Sequence, residues 1–349
     1  MRLEPIPAPS LTRQIGLPVL ALVATALFAM GLAALAGAAP GEVAWLVVKG
    51  AVGSKFALLE TLNRATPLIF TGLAVAVAFR AKLWNIGAEA QLYMGAVLTV
   101  VLGTGLLGWP AALLLPTLAV AAMIAGACAL LVPTILKTRF GVDEVVTTLL
   151  LNFVALLFVS YLLEGPLKDP MGMGWPKSPR LIPEARLPRI AEGLRLHWGF
   201  ALGIIAACLV WVLQTRTIWG YEMRAVGLNI KAARFAGMPV NRVLLRTALL
   251  SGGLAALAGF SEVAGAKGSL TLDLSPGFGY TGIIVAMLAL LHPLGVVVAA
   301  LFVAGIFVGA DSMSRAASVP TYIADIVLAT ALLAMVLAIG LTRRRVRWT

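Results

Sequence analysis

The chain has 349 residues, 60% of them hydrophobic and 12% charged, and its mean hydropathy is +0.98. A soluble domain carries roughly twice that charged fraction, so a water-soluble globular protein is excluded. The net charge of +12 would suit nucleic acid, but apolar runs of about 20 residues recur throughout, and basic loops at a cytoplasmic membrane face explain the charge better.

The pattern predicts an all-α polytopic membrane protein, a single transmembrane domain over 1–349, with about ten transmembrane helices. They lie near 17–38, 62–80, 87–107, 110–136, 145–163, 198–215, 242–262, 279–292, 294–310 and 321–342. The first is longer than the roughly 7–15-residue apolar core of a signal peptide and reads as a span, with Arg2 and Arg13 in the cytoplasm. An even count brings the C-terminus to the same side. Then 16 of the 27 Lys and Arg are cytoplasmic, as the positive-inside rule requires.

Between the second and third spans the apolar pattern breaks at Arg80-Ala-Lys-Leu-Trp-Asn-Ile-Gly-Ala-Glu-Ala-Gln91. A charge at the centre of a membrane helix costs about 3 kcal/mol. Such a segment therefore belongs at the membrane edge or against a protein-lined cavity. Glu89 needs compensation from Arg80, Lys82, backbone amides or water; it reads as a gating or a substrate-contacting residue. Asn152, inside the fifth span, reads equally as an interhelical hydrogen-bonding residue or a substrate contact. Cys128 and Cys208 fall inside apolar runs and read as small buried side chains.

Two hydrophilic segments follow. Residues 164–197 are rich in proline and are expected to form an external loop, either a connector or a docking surface for a partner. Residues 216–241 are expected on the cytoplasmic side, helical from Tyr221 to Phe235 and stopped by Gly237 and Pro239. Small residues at Gly227, Ala232, Ala233 and Gly237 would let another surface approach the backbone. An amphipathic helix resting on lipid headgroups is the alternative. Asn63-Arg64 and Asn241-Arg242 each precede an apolar run and a Gly-containing polar break, which suggests an inverted repeat.

No Walker-type phosphate loop is present; the nearest look-alike, Gly50-Ala-Val-Gly-Ser-Lys55, has the wrong spacing. The two histidines, His197 and His292, are far apart in sequence, and no catalytic cluster or metal-ligand set is legible. The chain reads as having no catalytic residues, metal or cofactor of its own.

Trp84-Asn-Ile-Gly-Ala-Glu-Ala-Gln91 resembles the signature of permeases in the nucleoside and simple-sugar branch of the ABC importers, with Ala90 where that branch usually has Gly. Arg224-Ala-Val-Gly-Leu-Asn229, Ala232-Ala233 and Gly237 resemble its ATPase-coupling segment. Gly141-Val-Asp-Glu-Val-Val-Thr-Thr148 with Leu151-Asn152, Leu274-Ser-Pro-Gly-Phe-Gly-Tyr-Thr-Gly282 and His292-Pro-Leu-Gly295 resemble three further stretches. Ala289-Leu290 departs from a usually more polar pair.

The resemblance implies a type II importer fold like that of the vitamin B12 importer. It implies a substrate path touching Asn85, Glu89, Gln91, Asn152 and Phe153, and ATPase coupling through Arg224, Gly227, Asn229, Ala232, Ala233 and Gly237. Its implied partners are a second permease, different or identical, an ATPase with two nucleotide-binding domains that carries ATP and Mg, and a periplasmic or lipid-anchored binding protein. The expected place is the bacterial inner membrane, in contact with lipid and with no nucleic acid. Nucleosides are the favoured cargo and a ribose-like sugar the first alternative. An ion-coupled secondary transporter is the alternative of another class, and would rely on Glu89 and Asp325.

Overall fold

The computed structural model describes residues 40–190 and 196–317 throughout, Arg2–Pro5 and Arg344–Arg347, and scattered positions between 10 and 34 and between 322 and 341. The expected spans near 17–38 and 321–342 lie largely outside these residues, as do Arg13, Glu192, Asp325 and Arg343.

Eleven helices run through the continuously described residues: α1 (Pro40–Val52), α2 (Lys55–Arg80), α3 (Ala88–Gly103), α4 (Ala111–Phe140), α5 (Glu144–Glu164), α6 (Gly199–Arg216), α7 (Ile218–Leu228), α8 (Ile230–Phe235), α9 (Val240–Ser261), α10 (Phe278–Leu288) and α11 (Pro293–Ala317). Helix α9 closes in a π turn, Glu262–Lys267, ended by Gly268 at φ +76°. Arg2–Pro5 pairs antiparallel with Arg344–Arg347. The chain divides into two compact units, 1–61 with 302–349 and 62–301, and the division falls within α2 and α11.

Six of the helices are long and apolar enough to cross a membrane: α2, α4, α5, α6, α9 with its π turn, and α11. The chain is thus a multi-pass membrane protein. The expected spans near 87–107 and 279–292 are shorter than the pattern suggests. The 16 residues of α3 and the 11 of α10 reach about 24 and 16 Å, against a hydrocarbon core of about 30 Å. Helix α2 begins earlier than expected, at Lys55, so Asn63-Arg64 lies inside the helix, whereas Asn241-Arg242 opens α9.

Local chemistry accounts for the boundaries. Gly141, at φ +70°, ends α4, its N–H donating to the Lys137 carbonyl while the Val142 N–H donates to that of Leu136. Two residues later Asp143 caps α5, accepting from the Val145 N–H at 2.7 Å. Leu290 and Leu291, in the turn before α11, both have positive φ. His292 then supports the start of α11, its Nδ1 accepting from the Gly295 N–H at 3.3 Å.

Within the second unit, 83% of the apolar window of α2 and 72% of that of α9 are buried, against 22% for α5 and 28% for α6. Helices α2 and α9, together with the short α3, are therefore the core. Small residues bring backbones together there: Gly126 of α4 against Gly252 of α9, and Gly95 and Gly259 between α3 and α9. Within the first unit, Gly50 meets Ser312, Gly309 meets Val47, and the Thr61 hydroxyl donates to the Ala51 carbonyl at 2.8 Å. Cys128 and Cys208, expected to be buried, are free and exposed; each sits on the apolar outer face of its helix.

The Pro-rich segment is tied down rather than slack. Ser178, Leu181 and Leu187 donate backbone N–H groups to Leu270, Gly268 and Ala264, each at 2.9 Å. His197 at its end is fully buried, and its Nδ1 accepts from the Gly199 N–H at 3.1 Å. Burial pushes its pKa down to about 4, so it is neutral at pH 7.

Candidate functional site: a polar break between half-helices

The break between α2 and α3 folds into a closed hydrogen-bonded knot. Asn85 and Gln91 clasp each other through both amides: Asn85 Nδ2 donates to Gln91 Oε1 at 2.9 Å, and Gln91 Nε2 donates to Asn85 Oδ1 at 2.8 Å. Asn85 Nδ2 also donates to the Ser251 hydroxyl at 3.0 Å, which donates to the Ala74 carbonyl at 2.7 Å. The Gly87 N–H reaches Asn85 Oδ1 at 3.0 Å. All three side chains are fully buried. The knot thus stitches the break to α2 and α9, and each amide is used.

A second layer comes from α5. Asn152 Oδ1 accepts from the Ala90 N–H at 2.9 Å, and its Nδ2 donates to the Ile86 carbonyl and to the Tyr280 hydroxyl, each at 3.0 Å. One buried side chain therefore satisfies both backbone polarities of the break. The Ile86 N–H donates to the Thr148 hydroxyl at 3.2 Å, and the Trp84 N–H to Glu144 Oε1 at 3.3 Å. Glu144 also pairs with Lys137. Phe153 does not join this group; it lies on the outer face of α5 and is 56% exposed.

Glu89 joins two half-helices. Its carboxylate accepts from the Gly279 N–H of α10 at 2.6 Å, while it sits in the first turn of α3. Gly279 packs against the backbone of Ala88 and Glu89, so the N-terminal ends of α3 and α10 meet. Two positive helix ends converge there, and the carboxylate lies between them. The Gly279 amide and the Ser275 side chain, not Arg80 or Lys82, are the partners that compensate it. The segment entering α10 is held alongside: the Tyr93 hydroxyl donates to the Leu272 carbonyl at 2.6 Å, and Ser275 Oγ accepts from Phe278 N–H at 2.8 Å.

The second group of expected residues forms two short helices, not one. Asn229, extended at φ −155°, separates α7 from α8 and caps α8 by accepting the Ala232 N–H at 3.1 Å. Ala233 is buried, Ala232 is exposed, and Gly237 ends the segment at φ +77°. Leu228 and Phe235 project outward, at 81 and 96% exposure. Arg224 donates to the Gln214 carbonyl. Gly227 packs directly on the backbone of Arg80 and Ala81, which places α7 against the turn that opens the polar break. The two groups of expected residues are therefore mechanically adjacent.

Residues 57–337 match the family model described as branched-chain amino acid transport system / permease component. The chain belongs to that family. The permease is 37% identical to the glucose ABC transporter permease protein of Haloferax volcanii over 95% of this chain and 89% of that one. It is 37% identical to the guanosine ABC transporter permease protein of Bacillus subtilis, over 81% of this chain and 82% of that one. Identity to a nucleoside ABC transporter permease protein of Lactococcus lactis subsp. cremoris is 29%, over 76% and 75%. It is therefore a permease of the nucleoside and simple-sugar ABC importers. A solved structure, PsaBC from Streptococcus pneumoniae in complex with Fab, matches with a TM-score of 0.46 at 12% identity, over 84% of this chain and 94% of that chain. That match is too loose to fix the helix arrangement.

Sequence reasoning missed the permease's distant partners: Ser251, Thr148, Glu144, Tyr93 and Tyr280. Glu144, Thr148 and Tyr280 stand inside stretches that already resembled the family. Ser251 has no local signal, being one hydroxyl in an apolar run.

Proposed function

We infer that this chain is one membrane-spanning half of an ATP-driven importer whose cargo is a nucleoside. The observation that carries the reading is the permease-family match across residues 57–337 together with a polar break built at the junction of two half-helices. The relatives named for guanosine and nucleoside transport support the cargo. A neutral, hydrogen-bonding environment with apolar walls suits ribose hydroxyls and a flat base. A simple sugar is the second reading, favoured by the glucose relative, which aligns over the larger share of the chain.

The finer features belong to the same reading. The fold is a ten-span type II permease in the bacterial inner membrane. The antiparallel pairing of Arg2–Pro5 with Arg344–Arg347 supports both termini on one side, the cytoplasmic one. A second permease completes the path, a binding protein delivers cargo, and a partner ATPase with two nucleotide-binding domains holds ATP and Mg.

In this scheme the ATPase presses on the exposed small residue Ala232 and the apolar tips Leu228 and Phe235. Arg224, Asn229, Ala233 and Gly237 shape that segment, and Gly227 passes its motion to Arg80 and Ala81. The break moves next, because Asn85, Gln91 and Asn152 hold it as one rigid piece. Glu89 on Gly279 is the latch between half-helices, and the path opens when it shifts. Phe153 enters the path only if its outward face meets the second permease.

The test is biochemical. The chain should co-purify with an ATPase subunit, and the complex should hydrolyse ATP faster with loaded binding protein. Stimulation by uridine or guanosine supports the nucleoside reading; stimulation by ribose alone keeps the machine and changes the cargo.

A further inference from the structure

The cytoplasmic ends of α2, α6 and α7 gather cations and donors with no acceptor to match. Arg224 lies one turn before Gly227, the residue that packs on the Arg80 backbone, so the two arginines share one face of the junction. Their charges repel. Among the described residues Lys137–Glu144 is an ion pair that lies by Lys82 and Trp84, just after the end of α2, and Lys177–Asp169 is another; neither includes Arg80 or Arg224. Glu222 of α7 stands two positions from Arg224, on the other side of the helix.

Three buried donors at this junction have no hydrogen-bond partner: Arg80 Nε, Gln214 Nε2 and Trp219 Nε1. The single buried acceptor left over is Gln214 Oε1. Gln214 is 1% exposed, so solvent does not satisfy its amide. Buried donors without acceptors are strongly unfavourable, and the Gln214 and Trp219 donors beside two guanidinium groups describe a missing anion.

What leads away from the junction is apolar. A groove of about 310 Å³ lies between α4, α6 and α9. Its α6 wall runs through Leu202, Ile205, Leu209 and Leu213, and Leu250 and Leu254 of α9 face it. Leu213 immediately precedes Gln214, whose carbonyl holds Arg224. From Leu202 to Leu213 the groove follows the helix for about 16 Å at 1.5 Å per residue, the reach of an acyl chain.

We propose that this junction and groove together bind one anionic phospholipid of the cytoplasmic leaflet, its phosphate at Arg80 and Arg224 and one acyl chain along Leu213 to Leu202. Guanidinium forks suit phosphate oxygens, and basic pockets between membrane helices on the cytoplasmic side suit lipid headgroups. The lipid would join α7 to the turn that opens the polar break. The inference needs only a chain embedded in a membrane, and stands apart from the choice of cargo or energy source.

The test is native mass spectrometry of the purified, delipidated permease with whatever partners co-purify, titrated with phosphatidylglycerol, phosphatidylcholine or inorganic phosphate. One tight phosphatidylglycerol site is expected, favoured over phosphatidylcholine. Arg80→Gln with Arg224→Gln should weaken it roughly 10-fold or more, and Arg216→Gln, at the exposed end of α6, should not. Leu209→Trp, which fills the groove and leaves the cations in place, should weaken lipid binding at unchanged melting temperature. Undiminished phosphatidylglycerol binding by the double arginine variant would overturn the proposal. So would inorganic phosphate binding as tightly as the lipid, which would make this a small-anion site. Displacement of the lipid when an ATPase subunit binds would also overturn it, assigning the arginines to an acidic side chain of that partner.

Discussion

Asn85 shows how much one side chain carries. It makes four hydrogen bonds with no exposure, to Gln91 twice, to Ser251 and to the Gly87 N–H. Asn85→Ala removes them together and strands the Gln91 amide, a loss of about 3 kcal/mol or more. Glu89→Gln keeps an oxygen for the Gly279 N–H and removes only the charge, so its loss should be smaller. The expected order in melting temperature and in transport is wild type, Glu89→Gln, Asn85→Ala; an Asn85→Ala protein that melts with wild type would mean that this clasp does not hold the break. His197 gives a second residue-scale outcome. Its folded pKa of about 4 lies below the ordinary 6.5. As pH falls below 6.5 the unfolded chain takes up a proton that the folded chain refuses, so stability drops until about pH 4. The full effect is about 3 kcal/mol. His197→Asn keeps an acceptor for the Gly199 N–H and has no such titration. Thermal melts between pH 7.5 and 4.5 should show wild type losing stability that the variant retains, and parallel curves would contradict the burial argument.

At the level of elements, the polar break was legible because charged and amide residues inside an apolar chain have few places to go. Of the helix ends, the stop at Gly237 was legible, whereas the caps Asp143 and Asn229 and the stop Gly141 were not read, although their residue types suit those places. The division of Tyr221–Phe235 into α7 and α8 was not foreseen, although Asn229 carried the signal. The bonds that fasten the break to distant helices could not be read. They join residues 60 to 190 positions apart, and an isolated Ser251 announces nothing. The short lengths of α3 and α10 were hidden for a related reason. Apolar letters continue beyond the helix ends, while capping and the meeting at Gly279 decide where winding starts. Helix α8 supplies the element-scale test of coupling. Ala232 is exposed and helical, so Ala232→Arg adds bulk without strain. Uptake should fall at least several-fold, with expression and melting temperature at wild-type values, if an ATPase docks there. Gly237→Trp is the less clean variant, because a side chain at φ +77° costs about 1 kcal/mol by itself. Normal uptake by Ala232→Arg at normal protein level would remove the docking assignment.

For the whole molecule, the account links a docking segment, a rigid break and a latch between half-helices into one device moved from the cytoplasmic side. What distinguishes that device from an ion-coupled carrier is its source of energy. Of the two acids at the break, Glu144 is paired with Lys137 and Glu89 is occupied by a backbone amide, an arrangement suited to a latch. The most direct measurement is accumulation of radiolabelled guanosine and uridine in vesicles containing the permease with its partner chains, with ATP present or absent and the ion gradients intact or collapsed. The account expects uptake that requires ATP and the binding protein, and that persists after the gradients are collapsed. Accumulation driven by a proton or sodium gradient without ATP would contradict it.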